Sequence, residues 1–502
     1  MDECHSRWPA AGNAASPLQQ IAREQATIRN VGWLVVIRGL QIVGGVLYAA
    51  IVPRLMGPIG YGKVALLVGL SFGFSVLADL GFTEIVGREV PRYTQAGDER
   101  GLIAFFGRLL AIRSSVGLAT AALYLLATTI WLRDLDWIAM VLISVAMALR
   151  APASLCFSFQ LGLNRAARWG LAEIVRQWGY LLLMLPGYLI LGLRGAAFGV
   201  LFLEIVVATV GFVGVRSHIA FSALRLTFAG MESYFRFGLV FYCGGLLSAV
   251  FESSGDILLR SIRGDYAPIG FFRLAYSAYL MAAAGIPAMA LAFAPLLAIL
   301  SLENDKPAML MWIERLLKWL GVGCMMVLLG TVLLGRDLVP LVLGQAFRPV
   351  APSLVVLVAG LIAVSLTGVA NLAALTYNRP SSVLFASIAQ LAVFWLLGPL
   401  LVARFGGIGA AAAVLGAVIA RAAFSTIAMQ RVAGYSLSRW FQVIGLGAIF
   451  LPLGLVRTSL LANACLLCIS ILGYAGLLFL FRIITIEELS MMKSAVRRQA
   501  PC

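Results

Sequence analysis

The chain has 502 residues, 61% of them apolar and only 12% charged, with a mean hydropathy of +0.96. A soluble domain is nearer half apolar and a quarter charged, so the composition excludes a soluble globular fold and makes lipid the solvent. The formal net charge of +16 does not point to nucleic acid, because Lys and Arg are spread over many short connections and are not gathered on one soluble face.

Taken in chain order, residues 1–30 are polar and carry Arg7, Arg23 and Arg29. They predict a cytoplasmic N-terminal tail with no cleaved signal peptide. Beyond them, fourteen apolar stretches follow at 31–53, 62–83, 104–127, 137–162, 170–192, 195–215, 238–259, 272–300, 314–334, 351–376, 382–403, 407–430, 440–457 and 461–481. A spanning helix needs about 20 mostly apolar residues, and these runs are continuous, whereas β-barrel strands alternate. The predicted fold class is therefore an all-α polytopic membrane protein of about 14 transmembrane helices. With the N-terminus in the cytoplasm, the inner segments carry about twice as many Lys and Arg as the outer loops, which predicts that both termini are cytoplasmic.

The chain compared with itself shows a repeat. Pro58, Ile59, Gly60 and Ala65 return 210 residues later as Pro268, Ile269, Gly270 and Ala275, with Lys63 matched by Arg273. Asn164-Arg165 returns as Asn378-Arg379, and Gly195-Ala196-Ala197 as Gly409-Ala410-Ala411, both 214 residues later. A unit of six spans brings the chain back to its starting side, so the two copies run parallel. The predicted organisation is a first six-helix bundle at 31–216, a cytoplasmic linker at 217–237, a second six-helix bundle at 238–430, two additional helices at 440–481 and a cytoplasmic tail at 482–502. Two such bundles around a shared site are the machinery of alternating access.

Few patterns in the chain carry chemistry. Residues 57–63 approach a phosphate-binding loop, but Val64 stands where Ser or Thr must hold magnesium, and an apolar span precedes it in place of a strand. The segment is better explained as the turn between spans 1 and 2, so no nucleotide-hydrolysis motif, catalytic residue or cofactor is predicted. Cys156, Cys243, Cys324, Cys465 and Cys468 lie inside spans as small apolar fillers. His5 and His218 are far apart, and no metal site is expected.

The charges inside the spans are the informative residues, since each is costly in hydrocarbon. They are Arg38, Arg113, Arg150, Arg176 and Arg421, with Asp79, Glu173, Glu204, Glu252 and Asp256 as acidic counterparts. Glu173 and Arg176 are three apart and can neutralise each other. Arg150 lies mid-span, two residues before Pro152. Glu204 and Arg421 are equally deep, in the sixth and twelfth spans, and can brace their bundles or each other. Glu252, Asp256 and Arg260 are spaced by four and share a helix face, on which Asp256 and Arg260 can pair. Arg263 and Arg273 follow. Such a face is too charged to meet lipid. The predicted cavity residues are Arg38, Arg150, Glu252, Asp256, Arg260 and Arg273. Arginine in excess suits a phosphate-bearing substrate, because guanidinium matches phosphate with two prongs.

The stretches Arg29-Asn30-Val31-Gly32-Trp33, Pro53-Arg54-Leu55-Met56-Gly57-Pro58-Ile59-Gly60-Tyr61-Gly62 and Ala78-Asp79-Leu80-Gly81-Phe82 resemble the start of bacterial polysaccharide flippases. These belong to the multidrug/oligosaccharidyl-lipid/polysaccharide exporter superfamily. Gly255-Asp256 through Arg260 into Ala267-Pro268-Ile269-Gly270 resembles the start of that family's second half. The resemblance covers roughly 28–480, with Met56 standing where family members commonly have Leu. It implies an inner-membrane flippase that moves an undecaprenyl-diphosphate-linked oligosaccharide to the outer leaflet for surface or exopolysaccharide synthesis, without covalent chemistry. The implied partners are the lipid-linked oligosaccharide, membrane lipids, and a glycan polymerase and chain-length regulator. A cation-coupled drug exporter of the same superfamily, with Glu252 and Asp256 as the ion site, is the alternative.

Overall fold

The computed structural model of the chain describes residues 17–220, 224, 226–227, 232–303, 305–377, 379–456 and 459–485; the side chains of 17–35 and of Arg38 lie outside that description. The expected tails and linker therefore fall partly outside the described residues. The helices are α1 (Pro17–Leu77), α2 (Phe82–Ala96), α3 (Glu99–Trp131), α4 (Trp137–Gly162), α5 (Ala166–Gly179), α6 (Leu185–Val215), α7 (Glu232–Arg263), α8 (Ala267–Ala283), α9 (Gly285–Leu302), α10 (Lys306–Leu343), α11 (Val350–Thr376), α12 (Pro380–Phe405), α13 (Gly407–Ala433), α14 (Ser438–Ala448) and α15 (Leu460–Leu480). No strand occurs among the described residues. The protein is an all-α polytopic membrane protein.

Among the described residues, eleven segments are long and apolar enough to cross a membrane. Two of them, Gly39–Leu77 and Gly170–His218, each hold a pair of the predicted stretches joined end to end. The stretch at 238–259 is not among the eleven; it lies in α7, whose middle carries Glu252 and Asp256. The supposed interfacial turn at 57–63 is not a loop. Gly57 breaks α1 with φ 71 and ψ 166, and helix resumes at once.

The repeat is visible in the backbone. Gly192 reverses the chain inside α6 at φ 61 and ψ −138, and Gly406, 214 residues on, does the same between α12 and α13 at φ 58 and ψ −127. Residues with a Cβ rarely adopt either conformation. Next to each turn the same contact forms: a Cβ on Gly195 would lie 1.8 Å from the carbonyl of Gly187, and one on Gly409 2.0 Å from that of Leu401. Asp98 and Asp305 cap α3 and α10 in matching fashion, accepting from Gly101 N and Ala308 N at 2.8 and 3.1 Å. A carboxylate at this position satisfies one of the orphan amides of a helix start.

Three features escaped the sequence pattern. Helix α2 is amphipathic, burying Phe82, Ile85, Val86 and Val90 within a stretch predicted as a connection. The predicted span at 272–300 is broken at Ala284 into α8 and α9. Between α5 and α6, residues Tyr180–Met184 form a π-turn just before Pro186, a local unwinding frequent at functional positions.

Helix α4 packs on α3 and α6, and α13 on α11 and α12. Helix α1 touches α5 and α6 on one side and α7 and α8 on the other, so it runs along the seam. Helix α10 carries α14 and α15. Lys318, fully buried in α10, donates to the carbonyl of Ile483 at 3.0 Å and ties down the end of α15.

Candidate functional site

Three groups of charged side chains stand out. The first lies among α4, α5 and α6. Arg150 Nε donates to Glu204 Oε1 at 2.8 Å, Arg176 lies 3.6 Å from the same oxygen, and Arg176 also pairs with Glu173 at 3.0 Å. The Arg150 guanidinium sits 4.1 Å from the ring centroid of Phe72. Glu204 is completely buried, and arginines from two neighbouring helices give it the counter-charge a buried carboxylate needs. Arg150 Nη1, Arg176 Nε, Tyr180 Oη and Glu204 Oε2 have no hydrogen-bond partner. They are donors and an acceptor gathered in one place, a set that ordered water satisfies. Glu204 thus braces the first half, and Arg421 is not its partner.

The second group lies where α7 and α8 meet the latter part of α1. Asp256 is buried and pairs with Arg273 at 3.2 Å. A Cβ on Gly69 of α1 would lie 3.5 Å from both Arg273 Nη2 and Asp256 Oδ2, so the ion pair rests directly on that helix. Arg273 also reaches the backbone carbonyl of Glu252 at 3.4 Å, while Asp256 Oδ1 is buried without a partner. The predicted pair of Asp256 with Arg260 does not form. Arg260 is one turn nearer the helix end, where it meets a loop carboxylate, and the more deeply buried Asp256 takes its counter-charge from α8.

The third group is a latch at the end of the molecule that carries Gly57. Arg260 pairs with Asp134 in the connection between α3 and α4. The Tyr266 hydroxyl donates to the other oxygen of Asp134 at 2.7 Å. The Arg260 guanidinium lies 4.5 Å from the Tyr266 ring centroid and Lys63 Nζ 5.3 Å from it, both within cation–π range. Burial would raise the Asp134 carboxyl, but the hydrogen bond from Tyr266 and the charge of Arg260 outweigh it and hold the group below its ordinary value. Burial, then the bond to Asp134, push the Tyr266 hydroxyl up. Directly beside the latch the two copies of the repeated Pro-Ile-Gly motif touch. A Cβ on Gly62 would fall 2.0 Å from the Tyr266 carbonyl, and one on Gly270 2.7 Å from that of Pro58. Only glycine permits this approach.

A cavity of about 970 Å³ opens along α1, α8 and α10, and none of the predicted cavity residues is among those that line it. Gln41, Tyr48, Tyr61, Gln177 and Ser277 give it a polar side. Its lips are exposed and apolar: Ile42 and Val46 of α1, Met281 of α8, Leu338 and Val342 of α10. The rest of the wall, including Ala49, Leu280, Ala288 and Leu354, is apolar, and a mostly apolar cavity with a few polar groups on one side suits an amphiphilic molecule.

Of the predicted cavity residues, the fold brings Glu252, Asp256 and Arg273 together. Arg150 belongs to the first-half network and Arg260 to the latch. The side chain of Arg38 lies outside the described residues. Every one of these described arginines already has a carboxylate partner. Arg113 is likewise buried, 2.8 Å from Asp79. Sequence reasoning missed Asp134 and Tyr266, which sit in connections without helical periodicity and meet Arg260 only in the fold. No group of three or more metal-ligating side chains occurs among the described residues.

The family model described as "Polysaccharide biosynthesis protein" matches residues 27–300, more than half of the chain. No curated protein sequence matches it. Among solved structures, the lipid II flippase MurJ in an inward closed conformation aligns with a TM-score of 0.69 and 13% identity, covering 91% of this chain and 100% of that one. An inward-facing multidrug resistance MATE family transporter of the MOP superfamily aligns at 0.59 and 13%, over 79% and 94% of the two chains. A MOP superfamily transporter from Pyrococcus furiosus, titled for the reverse polarity of its binding pocket, aligns at 0.52 and 14%, over 84% and 99%. At these identities the likeness establishes the fold.

Proposed function

Because the chain belongs to the polysaccharide biosynthesis protein family and has the fold of MOP-superfamily flippases and transporters, we propose that it flips a lipid-linked oligosaccharide, carried on undecaprenyl diphosphate, across the cytoplasmic membrane. The observation that carries this is the cavity, largely apolar but with Gln41, Tyr48, Tyr61, Gln177 and Ser277 along one side. The glycan and diphosphate occupy the recess while the polyprenyl chain stays in the bilayer. Two six-helix bundles, 31–216 and 238–430, rock about the seam helix α1, with both termini in the cytoplasm. In this reading the latch and the Gly62–Gly270 contact are the closure on the outer side. Glycan polymerase and chain-length regulator are the partners this function calls for.

The test is export of surface glycan in a strain lacking the gene and complemented in trans. The wild-type chain restores export. Ala278→Trp, which fills the cavity wall, lowers it about tenfold or more while the protein remains in the membrane, since a displaced substrate loses most of its binding energy. Normal glycan export in the deletion strain removes the proposal.

One observation favours a second function. Asp256 Oδ1 is buried without a partner beside Glu252, as a coupling-ion site of a cation-driven exporter requires. That function predicts drug sensitivity with normal glycan on deletion.

A further inference from the structure

Arg421, in the middle of α13, differs from the other deeply placed arginines. Its Nη1 donates to Gln390 Oε1 of α12 at 2.9 Å, its Nε is buried with no partner, and no carboxylate among the described residues pairs with it. Tyr279 of α8 lies within electrostatic reach. The residue is partly exposed. A guanidinium edge turned to hydrocarbon is costly, so the space it reaches is wet or takes a ligand.

The repeat shows that the missing counter-charge is specific to this half. At the spacing of 214 residues that relates Gly192 to Gly406, Arg176 corresponds to Gln390, Glu173 to Ser387 and Glu204 to Val418. The α12–α13 contact of Gln390 reaches Arg421, one turn beyond Val418, and the first-half counterpart of Arg421 is the apolar Val207. The framework is kept, yet both carboxylates are gone and a cation has been put in. A brace needs its counter-charge inside the protein; a cation left without one takes it from a ligand.

We propose that Arg421, positioned by Gln390, is an anion-binding group of the second half that takes a phosphoryl oxyanion. A guanidinium that no carboxylate claims, partly exposed and held through one nitrogen by Gln390, keeps charge and donors that phosphate oxygens fit. The identity of the anion as a lipid-borne diphosphate rests on the flippase function proposed above; the anion site itself does not.

The probes are inorganic pyrophosphate and farnesyl diphosphate, with binding to the full chain in lipid nanodiscs measured by thermal shift and titration. The wild-type chain binds farnesyl diphosphate. Arg421→Gln weakens binding about tenfold or more, the loss associated with one charge-assisted hydrogen-bonded contact. Val418→Glu supplies the absent carboxylate one turn from Arg421 and weakens binding to a similar extent, while melting no lower than the wild type; this separates lost binding from lost folding. Pyrophosphate binding with the same dependence on Arg421 supports a site that reads the anion alone, and binding of farnesyl diphosphate only supports one that also needs the prenyl chain. Equal binding by wild type and Arg421→Gln, or no binding of either probe to the wild type, overturns the proposal. Glycan export in the deletion strain judges the flippase function separately, since it does not depend on either probe.

Discussion

The α4–α6 region and the α12–α13 region are built on one backbone plan and use charge in opposite ways. In the first, two arginines and two glutamates neutralise one another around a fully buried carboxylate. In the second, the corresponding positions hold serine, glutamine and valine, and a lone arginine stands beside them. Both keep the glycine reversal and the close carbonyl contact beside it. The repeat therefore conserves what sets the path of the chain, namely small residues and capping groups, and leaves interior charge free to diverge. A closed network rigidifies its half, whereas an open cation equips the other half to respond to what it binds.

The largest effect should come from breaking the closed network. Glu204→Gln leaves Arg150 and Arg176 competing for Glu173 alone and should cost about 3–5 kcal/mol, seen as a fall in the melting temperature of the purified protein. The matching change in the other region, Arg421→Gln, should leave melting unchanged or raise it, because it removes a charge that no carboxylate offsets. If the two variants melt alike, the contrast between the regions is wrong. Next in size, Gly62→Val drives a side chain into the Tyr266 carbonyl, and overpacking of this kind costs about 1–3 kcal/mol. Because the strain exists only while the motif copies touch, it should favour a state in which they part, read as increased thiol labelling of a cysteine placed at Ala275, which is fully buried in the cavity wall.

Smallest is Asp134→Asn. The Asp134–Arg260 pair is half open to solvent on the aspartate side and is worth about 1 kcal/mol or less, so the same labelling should rise only slightly. Its pH dependence has a definite sign. The folded carboxyl lies below its ordinary value, so the contribution is fully present above the ordinary carboxylate range and is lost as pH falls through the lowered value. The raised Tyr266 hydroxyl keeps its proton through mildly alkaline pH. Labelling, taken relative to an exposed reference cysteine at the same pH to remove the thiol's own titration, should therefore be flat from about pH 5 to pH 9 and rise only in stronger acid. A step near neutrality would mean that another group controls the latch.

Hydropathy made the spans legible because lipid demands long apolar runs. Trp137–Gly162 was found to the residue. The repeat was legible through Pro58-Ile59-Gly60 and its copy because glycine and proline mark backbone geometry directly. Pairing was not legible. Asp256 and Arg260 share a helix face, yet Asp256 meets Arg273 on another helix and Arg260 meets a loop aspartate. Periodicity assigns a side chain to a face, but the charge opposite that face belongs to a neighbour that only the packing selects. Helix α2 was hidden for a related reason: its 15 residues are too short and too polar to register as a span, and its apolar stripe makes sense only against α3, α4 and α7.

The single-residue reversals at Gly192 and Gly406 also limit where the chain can be engineered. Inserted sequence is tolerated at exposed loop tips whose backbone makes few internal contacts. These two turns offer no such slack, because any added residue would push Gly195 off Gly187, or Gly409 off Leu401. An epitope or topology reporter belongs instead at Gly97–Asp98, where an exposed turn joins α2 to α3 and nothing lies within 4 Å of where a Gly97 Cβ would stand.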